Sequence, residues 1–395
     1  MANDTDLWLS GMAVYTEQGI LPSASVRIHN QIISDILSQP APRSTGRRLD
    51  FSADYHLIPG RIDMHIHGAK GADVMDATPD ALDRIRSALA AEGVTGFLAT
   101  TVTESIEKID QALQTIGQYQ RLKNTAPGAE ILGVHLEGPF ISPRHPGAHR
   151  AELILPPSID LFDRWQQASG NHIKSVTIAP EVLGGIEFIR HIRKQGVIAS
   201  IGHTDADFAV TELAIRAGAQ QATHLFNAMR PFHHRQPGCV GAVLTNSRIR
   251  AELITDGLHC HPQAIQLALQ SKGIEGLILV TDAMRAKCCD RGNHFDLGGQ
   301  TVIIRDGEAR LADGTLAGSL LTMTQAVKNM MNFTNSTLSD LIYLTSINPA
   351  RALNIYDKTG SIALGKDADL TILDEDFNVV LTLCKGQIIY ATTDT

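Results

Sequence analysis

The chain has 395 residues, 43% of them apolar, and a formal net charge of -8. That is too much chain for one small domain and enough for a (βα)8 barrel with a smaller module. The acidic balance offers no electrostatic footprint for nucleic acid or an anionic membrane. No apolar run approaches the roughly 20 residues that cross a bilayer, and Met1–Asp6 lacks a charged-then-apolar signal pattern. The five cysteines, Cys239, Cys260, Cys288, Cys289 and Cys384, show no C-x-x-C spacing. A disulfide framework or structural zinc knuckle is therefore disfavoured, and a reducing cytoplasm is the expected setting.

The chain opens with short strand signals, Asp6–Ser10 and an alternating run at Ser25–Ile36, with Gly, Pro and Asn between them. From Pro59 to Asn354 strand-like and helical runs alternate. Eight candidate strands fall at Arg61–His67, Gly96–Val102, Ile131–Glu137, Ile173–Ala179, Val197–His203, Gln221–His224, Arg250–Thr255 and Leu277–Thr281. Helical segments at Pro79–Glu92, Ser105–Arg121, Gly185–Gln195, Asp205–Ala217 and Pro262–Ser271 separate many of them. Strands alternating with helices predict parallel βαβ units, and eight of them predict a closed, TIM-like α/β barrel. An open doubly wound sheet is the rival, weakened by the lack of G-x-G-x-x-G after the first strand. Strand style resumes after the turn Gly365-Lys366-Asp367-Ala368-Asp369, in Leu370–Leu373 and Val379–Leu383. Both chain ends are thus expected to build one small β-sandwich domain, residues 1–58 with 355–395, around a barrel domain of residues 59–354.

Functional groups of such barrels sit where strands end, at the C-terminal mouth. His65 and His67 close the first strand and, being two apart in an extended chain, point to the same side. Glu137 closes the third strand, His203 the fifth, His224 the sixth and Asp282 the eighth. A lone histidine at a strand end is more often a hydrogen-bonded core residue than a ligand. Five strand ends carrying imidazole or carboxylate change that balance, because such groups left unpaired would be costly to desolvate. A divalent ion such as zinc answers all of them. His135, two before Glu137, is open between core and a supporting role.

These residues resemble the amidohydrolase superfamily, and within it the branch that deacetylates N-acetylglucosamine 6-phosphate. The carrying motifs are Pro59-Gly60-Arg61-Ile62-Asp63-Met64-His65-Ile66-His67-Gly68, His135-Leu136-Glu137-Gly138-Pro139-Phe140, Gly202-His203-Thr204 and His224-Leu225-Phe226-Asn227-Ala228-Met229. They continue in Asp256-Gly257-Leu258-His259 and Thr281-Asp282-Ala283-Met284, so the resemblance runs over nearly the whole chain. It implies that Glu137, His203 and His224 hold the principal metal, with His65 and His67 able to help hold a second. Zinc is the first expectation, iron and manganese the alternatives, one or two ions per subunit. Asp282 is implied as the general acid/base. Asn227, the backbone of Ala228, Arg235 and His259 are implied to bind the sugar phosphate, and His149 to face the sugar. The counterpart of Arg235 reaches across a dimer interface in the family, which implies a homodimer.

The chemistry stands beside the resemblance. Amide hydrolysis needs a nucleophile at neutral pH, a polarised carbonyl and a proton for the leaving amine. A divalent ion answers the first two, and Asp282 can accept a proton from water and return it to nitrogen. Arg235 suits phosphate as a bidentate fork, with His259 as a further donor. There is no G-x-S-x-G nucleophile elbow. The expected activity is hydrolysis of N-acetyl-D-glucosamine 6-phosphate to D-glucosamine 6-phosphate and acetate. The rivals are the galactosamine epimer, a different amidohydrolase, and a barrel that has lost chemistry and only binds.

Overall fold

The computed structural model describes residues 6–42, 46–122 and 126–392. Its centre is a barrel of eight parallel strands flanked by helices. In chain order the strands are Arg61–Ile66, Val94–Thr101, Glu130–Glu137, Ile173–Ile178, Ile198–Ile201, Gln221–Ala222, Arg250–Leu253 and Leu277–Leu279. Each hydrogen-bonds to the next. Every residue of Val94–Thr101 is buried, as expected of a parallel strand covered on both faces. Closure comes at the C-terminal mouth. There Ile66 bridges to Ala283, the His67 N–H donates to the Ala283 carbonyl at 2.9 Å, and the Asp282 N–H donates to the His65 carbonyl at 2.9 Å.

Local chemistry sets the helix starts. Thr78, Ser105 and Ser158 each accept a hydrogen bond from the third helical N–H of Pro79–Ala90, Ile106–Arg121 and Ile159–Ala168. The helix expected from Asp205 begins instead at Phe208, because Asp207 is the residue that caps it, accepting from the Val210 N–H. Asp205 stays outside, its carboxylate accepting from Arg144, Arg230 and His145. Phe140, Phe162, Trp165 and Phe188 pack in a fully buried aromatic group within the main core, Phe140 meeting Phe188 edge-on at 5.0 Å between centroids.

The β module is one connected sheet drawn from both sides of the barrel sequence. Leu7–Thr16 pairs with Gly19–His29, which pairs with Ile32–Leu37. The alternating run Ser25–Ile36 is therefore two strands. Asn30 and Gln31 turn between them at φ 50° and 71°, a two-residue hairpin turn that alternation alone conceals. His56–Pro59 lies beside Leu7–Thr16 on one side and antiparallel to Leu370–Leu373 on the other, followed by Val379–Cys384 and Gln387–Ala391. Leu9, Val14, Val26, Ile372 and Leu381 fill its core. Gly60 joins His56–Pro59 to the first barrel strand, and a Cβ there would lie 2.2 Å from Thr95 Oγ1, so only glycine fits.

One element was not anticipated from sequence. After the eighth strand, His294–Leu297, Gln300–Arg305 and Glu308–Arg310 form a three-stranded antiparallel sheet. Leu297 and Val302 pack it on Met284, two residues past Asp282. No described helix is long and apolar enough to cross a membrane.

Candidate metal centre

Three strand ends leave the extended conformation abruptly: His203, His224 and Asp282 have φ of 46°, 29° and 48°. Left-handed backbone at non-glycine residues costs of order 1–3 kcal/mol each and persists where surrounding structure over-determines it. Its effect is to swing all three side chains over the barrel mouth. After Glu137 the turn falls on Gly138 at φ 73°, where a Cβ would lie 2.0 Å from Thr103 Oγ1.

Glu137 is the hub. Its Oε1 lies 3.1 Å from His224 Nε2 and 3.4 Å from the Nε2 atoms of both His203 and His65. Its Oε2 lies 3.1 Å from His67 Nε2 and 3.5 Å from His149 Nε2. Asp282 Oδ1 completes the ring, 3.3 Å from His67 Nε2 and 3.4 Å from His65 Nε2. All these groups are at least nine-tenths buried. His203 Nδ1 donates to the His145 carbonyl at 2.9 Å, which leaves its Nε2 facing the cluster.

The electrostatics call for positive charge. Burial opposes ionisation of Glu137, but the His65 charge and hydrogen bonds from His149, His203 and His224 hold it well below the carboxylate range. Asp282 is lowered too: burial works against its charge, and His65 and His67 outweigh it. Burial would neutralise His65, yet Glu137, Asp282 and Glu252 hold its pKa well above the histidine value. His67 rises to about 9 against burial, through Asp282 and Glu137. His203, with burial and the neighbouring His149 against its charge, falls to about 4.

A divalent cation fits this donor set. The His65–His67–Glu137 and Glu137–His149–His203 groups each converge within metal-ligating reach. His65 Nε2 is buried without a hydrogen-bond partner, which is costly for an imidazole nitrogen unless a cation takes it.

The cluster opens into a cavity of about 450 Å³ lined by His67, His149, Asn227, Ala228, His259 and Asp282, among others. Thr103 donates its backbone N–H at 3.2 Å and its hydroxyl at 2.7 Å to His149 Nδ1, so His149 presents Nε2–H to the cluster. His259 is clamped by Asp256, Nδ1 to Oδ2 at 2.6 Å. Asn227 Nδ2 donates to the His224 and Leu225 carbonyls at 3.3 Å. Arg235 is the predicted residue that the structure keeps apart: it lies on the exposed stretch 231–236 against His234, outside the cavity lining.

His135 stands outside the Glu137 ring, hydrogen-bonded to Thr177 Oγ1 at 2.8 Å and edge-on to His65 at 4.6 Å. Burial, then the His65 charge, depresses its pKa to about 4, so it is neutral. Sequence reasoning missed Glu252, whose Oε2 accepts from His65 Nδ1 at 2.9 Å. Its parity hid it: in Arg250-Ala251-Glu252-Leu253 the charged positions alternate with apolar ones, yet Glu252 has no exposure at all. Leu297, Asp313 and Thr315, which wall the cavity, were also missed.

Residues 56–389 match the amidohydrolase family. The N-acetylglucosamine-6-phosphate deacetylase of Bacillus subtilis (strain 168) is 44% identical over 389 residues, 98% of each chain. The N-acetylgalactosamine-6-phosphate deacetylase of Escherichia coli O157:H7 is 39% identical over 381 residues, 96% of this chain and 98% of its own. Among solved structures, a mutant form of Mycobacterium smegmatis N-acetyl-D-glucosamine-6-phosphate deacetylase, in complex with N-acetyl-D-glucosamine-6-phosphate, superposes with a TM-score of 0.91 at 32% identity. That likeness covers 98% of this chain and 100% of the other.

Proposed function

The chain belongs to the amidohydrolase family, and from that premise we propose that it hydrolyses N-acetyl-D-glucosamine 6-phosphate to D-glucosamine 6-phosphate and acetate. The observation that carries this is the ring of five imidazoles and Asp282 around Glu137, at the end of a cavity sized for a sugar phosphate. The 44% identity to a glucosamine enzyme, against 39% to a galactosamine one, favours the glucose epimer.

In this reading Glu137, His203 and His224 hold the principal ion, zinc by its ligand preference, and His65 and His67 help hold a second. When bound, such an ion supplies Lewis acidity to the amide carbonyl and makes water nucleophilic near neutral pH. Asp282, kept ionised by its two histidine neighbours, takes the proton from the attacking water and delivers it to the departing nitrogen. His149, its Nδ1 engaged by Thr103, faces the sugar from the cavity wall beside the cluster. Asn227, the Ala228 backbone and His259 cradle the sugar phosphate.

Arg235 reaches the phosphate only from a second copy of the chain. Its exposed loop, with Phe232 57% exposed beside it, supports a homodimer as the working unit. The domain boundaries are placed at 58/59 and 354/355, and the cytoplasm is the assigned compartment, in keeping with five free thiols.

Acetate release from metal-replete protein tests the reading, with N-acetylglucosamine 6-phosphate, its galactose epimer and the unphosphorylated sugar side by side. Fast release from the first alone is expected. Faster turnover of the epimer would reassign the substrate, equal rates without phosphate would remove His259 and Arg235 from their roles, and no release would leave a different amide substrate or the binding reading.

A further inference from the structure

Glu252 lies in the seventh barrel strand with no solvent exposure. Its Oε2 accepts from His65 Nδ1 at 2.9 Å and from the His224 backbone N–H at 3.2 Å. Its Oε1 accepts from Gln221 Nε2 at 2.6 Å. None of these donors is Lys or Arg. A carboxylate buried so completely is expensive unless a positive charge stands close by, and the function proposed above makes no use of it.

The geometry points to Glu252 as a positioning residue for a second metal ion: by accepting the Nδ1 proton of His65, it leaves the Nε2 lone pair of that ring facing Glu137 and Asp282. A neutral imidazole has one proton, so the partner on one nitrogen decides what the other can do. His65 Nε2 is 3.4 Å from an oxygen of each carboxylate and has no hydrogen-bond partner. The other rings differ. His203 is oriented by a neutral carbonyl, and the Nδ1 atoms of His67 and His224 have no hydrogen-bond partner. His65 alone among these four rings is backed by a full negative charge, which raises its basicity as a ligand.

Charge balance leads to the same place. One divalent ion neutralises Glu137 and Asp282 together. Glu252 adds a third charge that one ion leaves uncompensated and that a second ion, on His65 and His67, satisfies. The competing balance retains the metal-free state described above, with His65 doubly protonated, donating at Nδ1 to Glu252 and at Nε2 to the cluster, which closes the second position. The inference rests on the metal-dependent reading, and metal titration separates the two.

The experiment removes metal by chelation and titrates the full chain with Co(II), following the visible spectrum and heat, for wild type and Glu252→Gln. Wild type is expected to take two equivalents. Glu252→Gln keeps the shape and loses the charge, so its second equivalent should bind on the order of 10–100-fold more weakly while the first is unchanged. A merely structural role would weaken both ions alike and lower the melting temperature of the metal-free protein. Equal weakening, two unchanged equivalents, or a single equivalent in wild type would each overturn the inference and leave the hydrolase standing. No binding by wild type would instead remove the metal-dependent reading itself. Should Glu252→Gln fail to fold, Gln221→Met removes only the donor on Oε1 and should weaken the second ion selectively but less. Loss of selectivity there counts against the inference too.

Discussion

Asp282 combines three properties rarely found in one carboxylate: left-handed backbone, near-complete burial, and a pKa held low by two imidazoles that outweigh its desolvation. If it shuttles the proton, Asp282→Asn should keep its metal and lose kcat on the order of 10²-fold or more. His203→Ala should show the opposite order of damage, with ion content falling first. Elemental analysis beside steady-state kinetics distinguishes the two. A different residue sets an acid limit on the fold. Asp205 is lowered chiefly by its hydrogen bond from Arg230, against burial, with Arg144 and His145 assisting. A depressed carboxylate stabilises the folded state at all pH above its ordinary value near 3.8 and loses that contribution as pH falls further. The melting temperature of Asp205→Asn should therefore lie below wild type at pH 7 and converge on it below about pH 4. At this scale the sequence was legible where a His, Glu or Asp closed an apolar run. It was illegible at Glu252, because a charged residue within alternation reads as the solvent side of a strand.

Elements explain which parts of the cavity could be foreseen. Most of the barrel strands announced themselves because parallel strands buried on both faces are near-continuous apolar runs, as in Val94–Thr101. The three-stranded insert at residues 294–310 did not, since short, half-exposed strands of mixed polarity resemble loop. Yet it carries Leu297 into the cavity wall, and Gln300 Nε2 donates to the Ala148 carbonyl at 2.6 Å, tying the insert to the segment that presents His149. A neutral hydrogen bond contributes about 0.5–1.5 kcal/mol net. Gln300→Ala should accordingly raise KM roughly 2–10-fold with kcat nearly unchanged, the signature of lost uniform binding. A fall in kcat without a change in KM would mean that the insert acts on the chemistry and not on substrate retention. The helix misjudged at Asp205 makes the related point that a cap and an ion-pair hub look identical in sequence when Asp stands two before Asp.

Across the whole molecule, barrel and β module share a covalent seam. His56–Pro59 is a central strand of the module sheet and runs through Gly60 into the first barrel strand. Ile372, fully buried, pairs with Leu57 on that seam. Ile372→Ala should cost about 2–5 kcal/mol and shift a single urea transition seen both by tryptophan fluorescence, from Trp8 in the module and Trp165 in the barrel, and by circular dichroism. Two separated transitions would show the module unfolding on its own. The composite arrangement was visible in outline because turn and strand signals of one style appear on both sides of the barrel. Its pairings were not, since short strands carry no mark of their neighbours. Those pairings also set a timetable for synthesis. The strand that completes the sheet beside His56–Pro59 leaves the ribosome about 300 residues later, tens of seconds at roughly 5–20 residues per second. Throughout that interval the nascent chain carries an open sheet edge next to a growing barrel, an invitation to chaperones or to premature pairing that this topology places in every molecule made.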